Sequence, residues 1–139
     1  MTNFPKMKKY LLFVALLPLL LASCGKLSKE AKGMIGDYYI SEVSIDTPVL
    51  QLKEDGTCVR TAIRPNYVTF SVEGKWNVKN DSLIIDLDPN RITWEGDRSM
   101  IGDFPTHTAY YISAFNGLNL EVVSDGLTYS LHRRVKTND

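Results

Sequence analysis

Apolar and polar residues alternate without a break from Val68 to Val78. Val68, Phe70, Val72, Gly74, Trp76 and Val78 hold one phase, and Thr69, Ser71, Glu73, Lys75 and Asn77 hold the other. A period of two over this length predicts a strand with one face in a core and one in water. Gly74, the residue without a side chain on the apolar face, predicts a bend or bulge. The same alternation recurs in Leu83, Ile85 and Leu87, in Leu118, Leu120 and Val122, and in Leu127, Tyr129 and Leu131.

The joints are equally clear. Asn116-Gly117 and Asp125-Gly126 are hairpin dipeptides, since both central positions of a type I′ turn need positive φ. Glu54-Asp55-Gly56 and Lys79-Asn80-Asp81 predict further turns. Strands are therefore expected near 37–45, 49–54, 57–64, 67–78, 82–88, 107–115, 118–124 and 127–134, with a short extra strand at 91–95. No stretch among them shows helical periodicity. Strands joined by local hairpins predict an all-β, up-and-down antiparallel meander. Closing it into a small eight-stranded barrel removes the sticky edges. A sandwich is the alternative, but it would call for Greek-key crossings that these short connections do not provide.

The first part of the chain follows a different rule. Lys6, Lys8 and Lys9 precede an apolar run from Leu11 to Leu21, and the small residues Ala22 and Ser23 lead to Cys24. Basic start, apolar run and small residues are the order of a secretory signal. The run is too short to span a bilayer core of about 30 Å comfortably. Leu21-Ala22-Ser23-Cys24 resembles the lipobox of bacterial lipoproteins. The resemblance implies that Cys24 receives a diacylglyceryl thioether, that the leader is cut before it, and that the new amine is acylated. Two or more acyl chains anchor stably, at about 0.8 kcal/mol per buried CH₂. The expected organisation is a signal peptide at 1–23, a lipidated N-terminus and tether at 24–35, a barrel domain at 36–135 and a tail at 136–139. The tether carries one expected helical turn around Ser28 to Met34.

Composition narrows the partners. The leader holds three of the 16 basic residues and none of the 16 acidic ones, so the remainder is mildly acidic. A nucleic-acid partner, which wants a clustered basic face, is not expected. The bilayer is engaged through acylated Cys24 rather than by charge. With Cys24 acylated, Cys58 is left as the sole thiol, expected to be buried and inert. Lys26 and Gly25 follow Cys24 with no Asp, and no acidic cluster follows. The expectation is the outer membrane, facing the periplasm.

Gly36-Asp37-Tyr38-Tyr39, then Leu52-x-x-Asp55-Gly56-Thr57, then Gly74-Lys75-Trp76-x-Val78-x-Asn80-Asp81-Ser82-Leu83 resembles the lipocalin-like lipoproteins of Bacteroidota-type bacteria. The resemblance covers most of residues 34–134, except 89–106. It implies a lipocalin-like barrel in the cell envelope, and leaves function open.

No catalytic set stands out, and neither enzyme activity nor a cofactor is expected. His107 and His132 lack a partner at metal-ligand spacing. Asp81, Asp86 and Asp88 read as a solvated acidic face, and Asp97 and Asp103 as loop carboxylates. Binding has two candidates. Phe70, Trp76 and Tyr129 sit at the inward phase and, with Leu50, Leu52, Leu120 and Leu131, either line a small apolar pocket or fill it. Residues 89–106 are the longest expected connection and carry Trp94, Met100, Ile101 and Phe104 beside Arg91 and Arg98. That segment covers the barrel mouth or meets an envelope protein; alternatively, Ile92 and Trp94 form a plain strand and Phe104 plugs the barrel end. The expected function is binding of a small apolar or amphipathic ligand, or a protein-interaction role through 89–106.

Overall fold

The computed structural model describes residues 26–134. A short helix, α1 (Lys29–Lys32), precedes eight strands: β1 (Gly36–Tyr39), β2 (Leu50–Leu52), β3 (Thr57–Arg64), β4 (Val68–Lys79), β5 (Ser82–Gly96), β6 (His107–Phe115), β7 (Asn119–Ser124) and β8 (Leu127–Arg134). Each pairs antiparallel with the next, and β8 returns to β1 to close the barrel in meander order. Tyr38 faces Arg133 across that closing seam.

The turns follow local chemistry. Asn80 and Asp81 both have positive φ between β4 and β5, as do Asp125 and Gly126 between β7 and β8. Asn116-Gly117 differs from the expected type I′ turn, because positive φ is taken up by Gly117 and not by Asn116. Asn116 instead accepts the Leu118 and Asn119 amides on its side-chain oxygen, at 3.0 and 2.7 Å. That small side-chain turn moves the start of β7 to Asn119 and leaves Leu118 exposed.

Three expected segments are corrected. β1 stops at Tyr39 instead of running to 45, because the Ile40 carbonyl accepts both the Val43 and Ser44 amides and turns the chain. The segment expected as a tether is packed onto the barrel from Leu27. Leu27, Ala31 and Met34 are buried, and Ser28 caps α1 by accepting the Ala31 amide at 3.2 Å. Residues 89–106 are not one long loop, since β5 runs through Pro89 to Gly96. Phe70 faces Trp94 and Val72 faces Ile92, and the pairing resumes at Gly74 opposite Leu87. The intervening residues bulge outward, which frees Pro89 from donating a ladder hydrogen bond. Glu73 and Arg91 bridge the bulge at 2.9 Å. Gly74 marks it as expected: a Cβ there would lie 2.1 Å from the Asp86 carbonyl oxygen.

β6 joins β5 only from His107, opposite Asp86. The far half of β5 therefore overhangs, and residues 97–106 return along it with a 3₁₀ turn at Arg98–Met100. Met100, Ile101 and Phe104 pack against the core there. The core proper runs through the barrel, with Tyr38, Leu52, Cys58, Val72, Leu83 and Leu120 fully buried. Each large apolar side chain of this kind stabilises the fold by about 1.5–3 kcal/mol.

Candidate functional site: an open-ended cavity in the barrel

The two ends of the barrel are built differently. At one end lie the short turns after β2, β4 and β6, together with α1. Tyr38 donates its hydroxyl to the Met34 carbonyl at 2.6 Å. Arg133 donates to the Gly33 and Ile35 carbonyls at 2.9 and 3.1 Å, and its guanidinium lies 5.3 Å from the Phe115 ring centre. Trp76 donates its indole N–H to the Lys53 carbonyl at 2.9 Å. These bonds close this end over the barrel core, although the Arg133 Nε is buried without a partner and a surface cleft lies between Ile35, Leu52 and Arg133. Burial pushes the Tyr38 phenol up to about 12, with the positive charge of Arg133 pulling the other way.

The opposite end stays open. A cavity of about 240 Å³ enters the barrel below the β1–β2 loop. Strand register decides what faces it, because residues directly opposite on paired strands point to the same side. Leu50 and Val72 are buried, and both face Arg60, which therefore stands on the interior face of β3. Leu83 faces Tyr110 and Val122 faces Tyr129, which puts both tyrosines inside. Their rings meet edge to face at 6.4 Å. Leu50, Leu83, Ile85, Val122 and Leu131 supply the apolar wall, and Ile40, Val43 and Val49 descend from the loop. Val43, Ile45, Tyr67, Leu127 and Tyr129 leave apolar surface exposed at the same end.

Of the expected binding residues, Tyr129 lines this cavity. Phe70 and Trp76 share the interior face of β4, but Trp76 belongs to the sealed end. Phe70 packs on Phe104 at 5.9 Å, under the returning segment. Trp94 is on the overhang, 43 % exposed, with the Arg98 guanidinium 4.5 Å from its ring centre. Trp94 thus pairs with Phe70 across β4 and β5, and Phe104 packs on Phe70 from the returning segment, but none of the three lines the cavity. Arg60 was not expected, and Tyr110 was not placed at the inward phase. A charged residue in the inward phase, between Cys58 and Ala62, is the signal that marks Arg60.

Cys58 is fully buried, and burial pushes its thiol up to about 11. His107 bonds Asp86 and His132 bonds Asn119, both on exposed surface. Asp55 and Asp97 lie below the usual carboxylate range because each accepts hydrogen bonds from the residue two positions on, Thr57 and Ser99. Among the described residues no group of three or more His, Cys, Asp or Glu is placed to hold a metal ion. Cys24 lies outside the described residues.

No family model matches the chain, and neither a curated protein nor a solved structure matches it.

Proposed function

We propose that this chain is a membrane-anchored envelope lipoprotein whose lipocalin-like barrel binds a small apolar or amphipathic ligand, without catalysing a reaction. The observation that carries the reading is the cavity: one end of the barrel is covered by α1 and the contacts of Tyr38 and Trp76, and the other opens into an apolar chamber. Pockets for small molecules are concave and mostly apolar, with a few polar groups that orient the guest. The Leu21-Ala22-Ser23-Cys24 run supports the anchor and the envelope address, with the outer membrane facing the periplasm as the expected site.

The fold supports an orientation for this reading. Asn77 at the sealed end accepts the Ser28 amide at 2.9 Å and donates to the Lys26 carbonyl at 3.2 Å. Only Gly25 stands between Lys26 and Cys24, so two chain steps give a reach of about 7 Å at most. An acylated Cys24 then holds the sealed end at the bilayer and turns the mouth away from it, toward ligands in the aqueous space.

Native mass spectrometry on the soluble chain from Gly25 onward, purified gently from a bacterial host, tests the reading. Added mass that leaves on denaturation is expected. A bare monomer across several preparations and ligand libraries would overturn it.

A second reading, a protein-interaction module, draws on the tip of the β4–β5 overhang. Trp94 and Tyr67 are both exposed there, and Tyr67 accepts the Asp97 amide at 2.9 Å to hold the tip together. Exposed aromatics of this kind serve as anchors for protein partners. Loss of a co-purifying partner on Trp94→Ala, with stability unchanged, would favour it.

A further inference from the structure

Among the described residues, the cavity wall holds one cation and no acid. Arg60 is half-buried in its wall, and among the described residues its side chain has neither a hydrogen bond nor an ion pair. The other arginines differ. Arg91 pairs with Glu73, Arg98 lies over Trp94, and Arg133 and Arg134 bond backbone carbonyls. Arg64 is exposed at the end of β3. An unpaired guanidinium against an apolar wall is unfavourable until an anion joins it. Its planar fork matches carboxylate or phosphate oxygens two at a time.

The remaining polar groups point the same way. Thr61 is occupied, its hydroxyl 2.8 Å from that of Ser71. The hydroxyls of Tyr110 and Tyr129 have no partner among the described residues and are free to donate to an anion. Size sets the other half of the guest. The cavity exceeds the roughly 150 Å³ that accepts benzene, yet falls below the usual span of about 300–1,000 Å³ for a whole drug-sized ligand. It takes a head and part of a chain, and the rest leaves through the mouth.

We infer that the cavity selects single-chain amphiphiles with an anionic head, carboxylate or phosphate, seated on Arg60 with the chain against Leu50, Leu83, Ile85 and Leu131. The inference rests on the ligand-binding reading above and names the class of its ligand.

The test photolabels the full-length protein in phosphatidylcholine nanodiscs. One probe is a medium-chain fatty acid bearing a diazirine, and the other is the alcohol of the same chain. Labelled peptides are read by mass spectrometry. The acid is expected to label cavity peptides at least about tenfold more than the alcohol, the preference that one ion-paired hydrogen bond supports. Arg60→Gln should bring the acid down to the alcohol's level. Arg98→Gln, outside the cavity, should leave the preference intact. The preference of the unaltered protein needs no variant, so a destabilised Arg60→Gln does not shield the proposal.

Equal cavity labelling by acid and alcohol overturns the anionic head and leaves ligand binding standing. No cavity labelling by either probe overturns both. Unlabelled competitors distinguish the heads: displacement by a fatty acid supports a carboxylate, and displacement by lysophosphatidate supports a phosphate. Equal displacement by inorganic phosphate alone overturns the proposal, because the chain then contributes nothing.

Discussion

Tyr38→Phe removes one oxygen from the joint between the N-terminal cap and the barrel. Tyr38 is fully buried, and its hydroxyl donates to the Met34 carbonyl at 2.6 Å. Phenylalanine keeps the ring, so the packing contribution is conserved. An acceptor left unpaired in a buried place costs about 1–3 kcal/mol, and the expected loss at pH 7 is about 1–2 kcal/mol. The pH dependence carries a second, independent number. Burial raises the phenol from 10.0 to about 12. A group whose folded pKa is raised contributes stability that is fully present below its unfolded pKa and is lost as pH climbs through the folded one. The window is therefore pH 10 to 12. At about 1.4 kcal/mol per tenfold change in proton affinity, the gap corresponds to about 2–3 kcal/mol. The phenylalanine variant lacks this loss. The stability margin of the parent over the variant should start at about 1–2 kcal/mol, shrink above pH 10 and vanish or reverse toward pH 12. Urea unfolding followed by tryptophan fluorescence, at constant ionic strength from pH 7 to 11.5, measures it. Cys58 drops out of the comparison because both proteins carry it. A margin that stays constant with pH, or a variant as stable as the parent at pH 7, refutes the reasoning.

Gly74→Ala should cost about 3 kcal/mol or more in chemical unfolding, because the new methyl group meets the backbone of Asp86 and Leu87 rather than a movable side chain. A cost below about 1 kcal/mol would mean that the bulge is soft. Phe104→Ala should cost about 2–3 kcal/mol through lost packing on Phe70. Trp94→Ala, on exposed surface, should stay within about 1 kcal/mol, and the reverse order would displace Phe104 from its assigned place. Cys58 should react with a disulfide reagent at pH 8 at least about 100-fold more slowly in the folded than in the urea-unfolded protein, since its thiol rises from 9.0 to about 11 before steric shielding is counted. Reaction of the folded protein at the rate of a free thiol would contradict its burial.

Much of the barrel was legible as alternation. Val68 to Val78 reads as a strand because the pleat sends successive side chains to opposite faces, and β4 covers that run and one residue more. Asp125-Gly126 was legible because few residues tolerate two successive positive φ values. Pro89 misled for the converse reason. Proline at that point argues against a paired strand, and only the neighbouring bulge frees it from the ladder. The helical turn near Ser28 to Met34 was legible and forms as α1, but its docking was not, because its burial depends on Leu27, Ala31 and Met34 meeting a barrel end assembled from distant strands.

The site divides along the same line. By itself, the order of apolar and polar residues determined the all-β class, the local hairpin order and the burial of Cys58, because these depend on neighbours in the chain. It marked Phe70, Trp76 and Tyr129 as inward without distinguishing a filler from a wall, because a void is the space that side chains from several strands leave between them. Only the closed tertiary structure decided that Trp76 seals one end, that Phe104 covers Phe70, and that Arg60, Tyr110 and Tyr129 share a chamber open at the other end. Those three residues come from β3, β6 and β8, and barrel closure with its register is what brings them together.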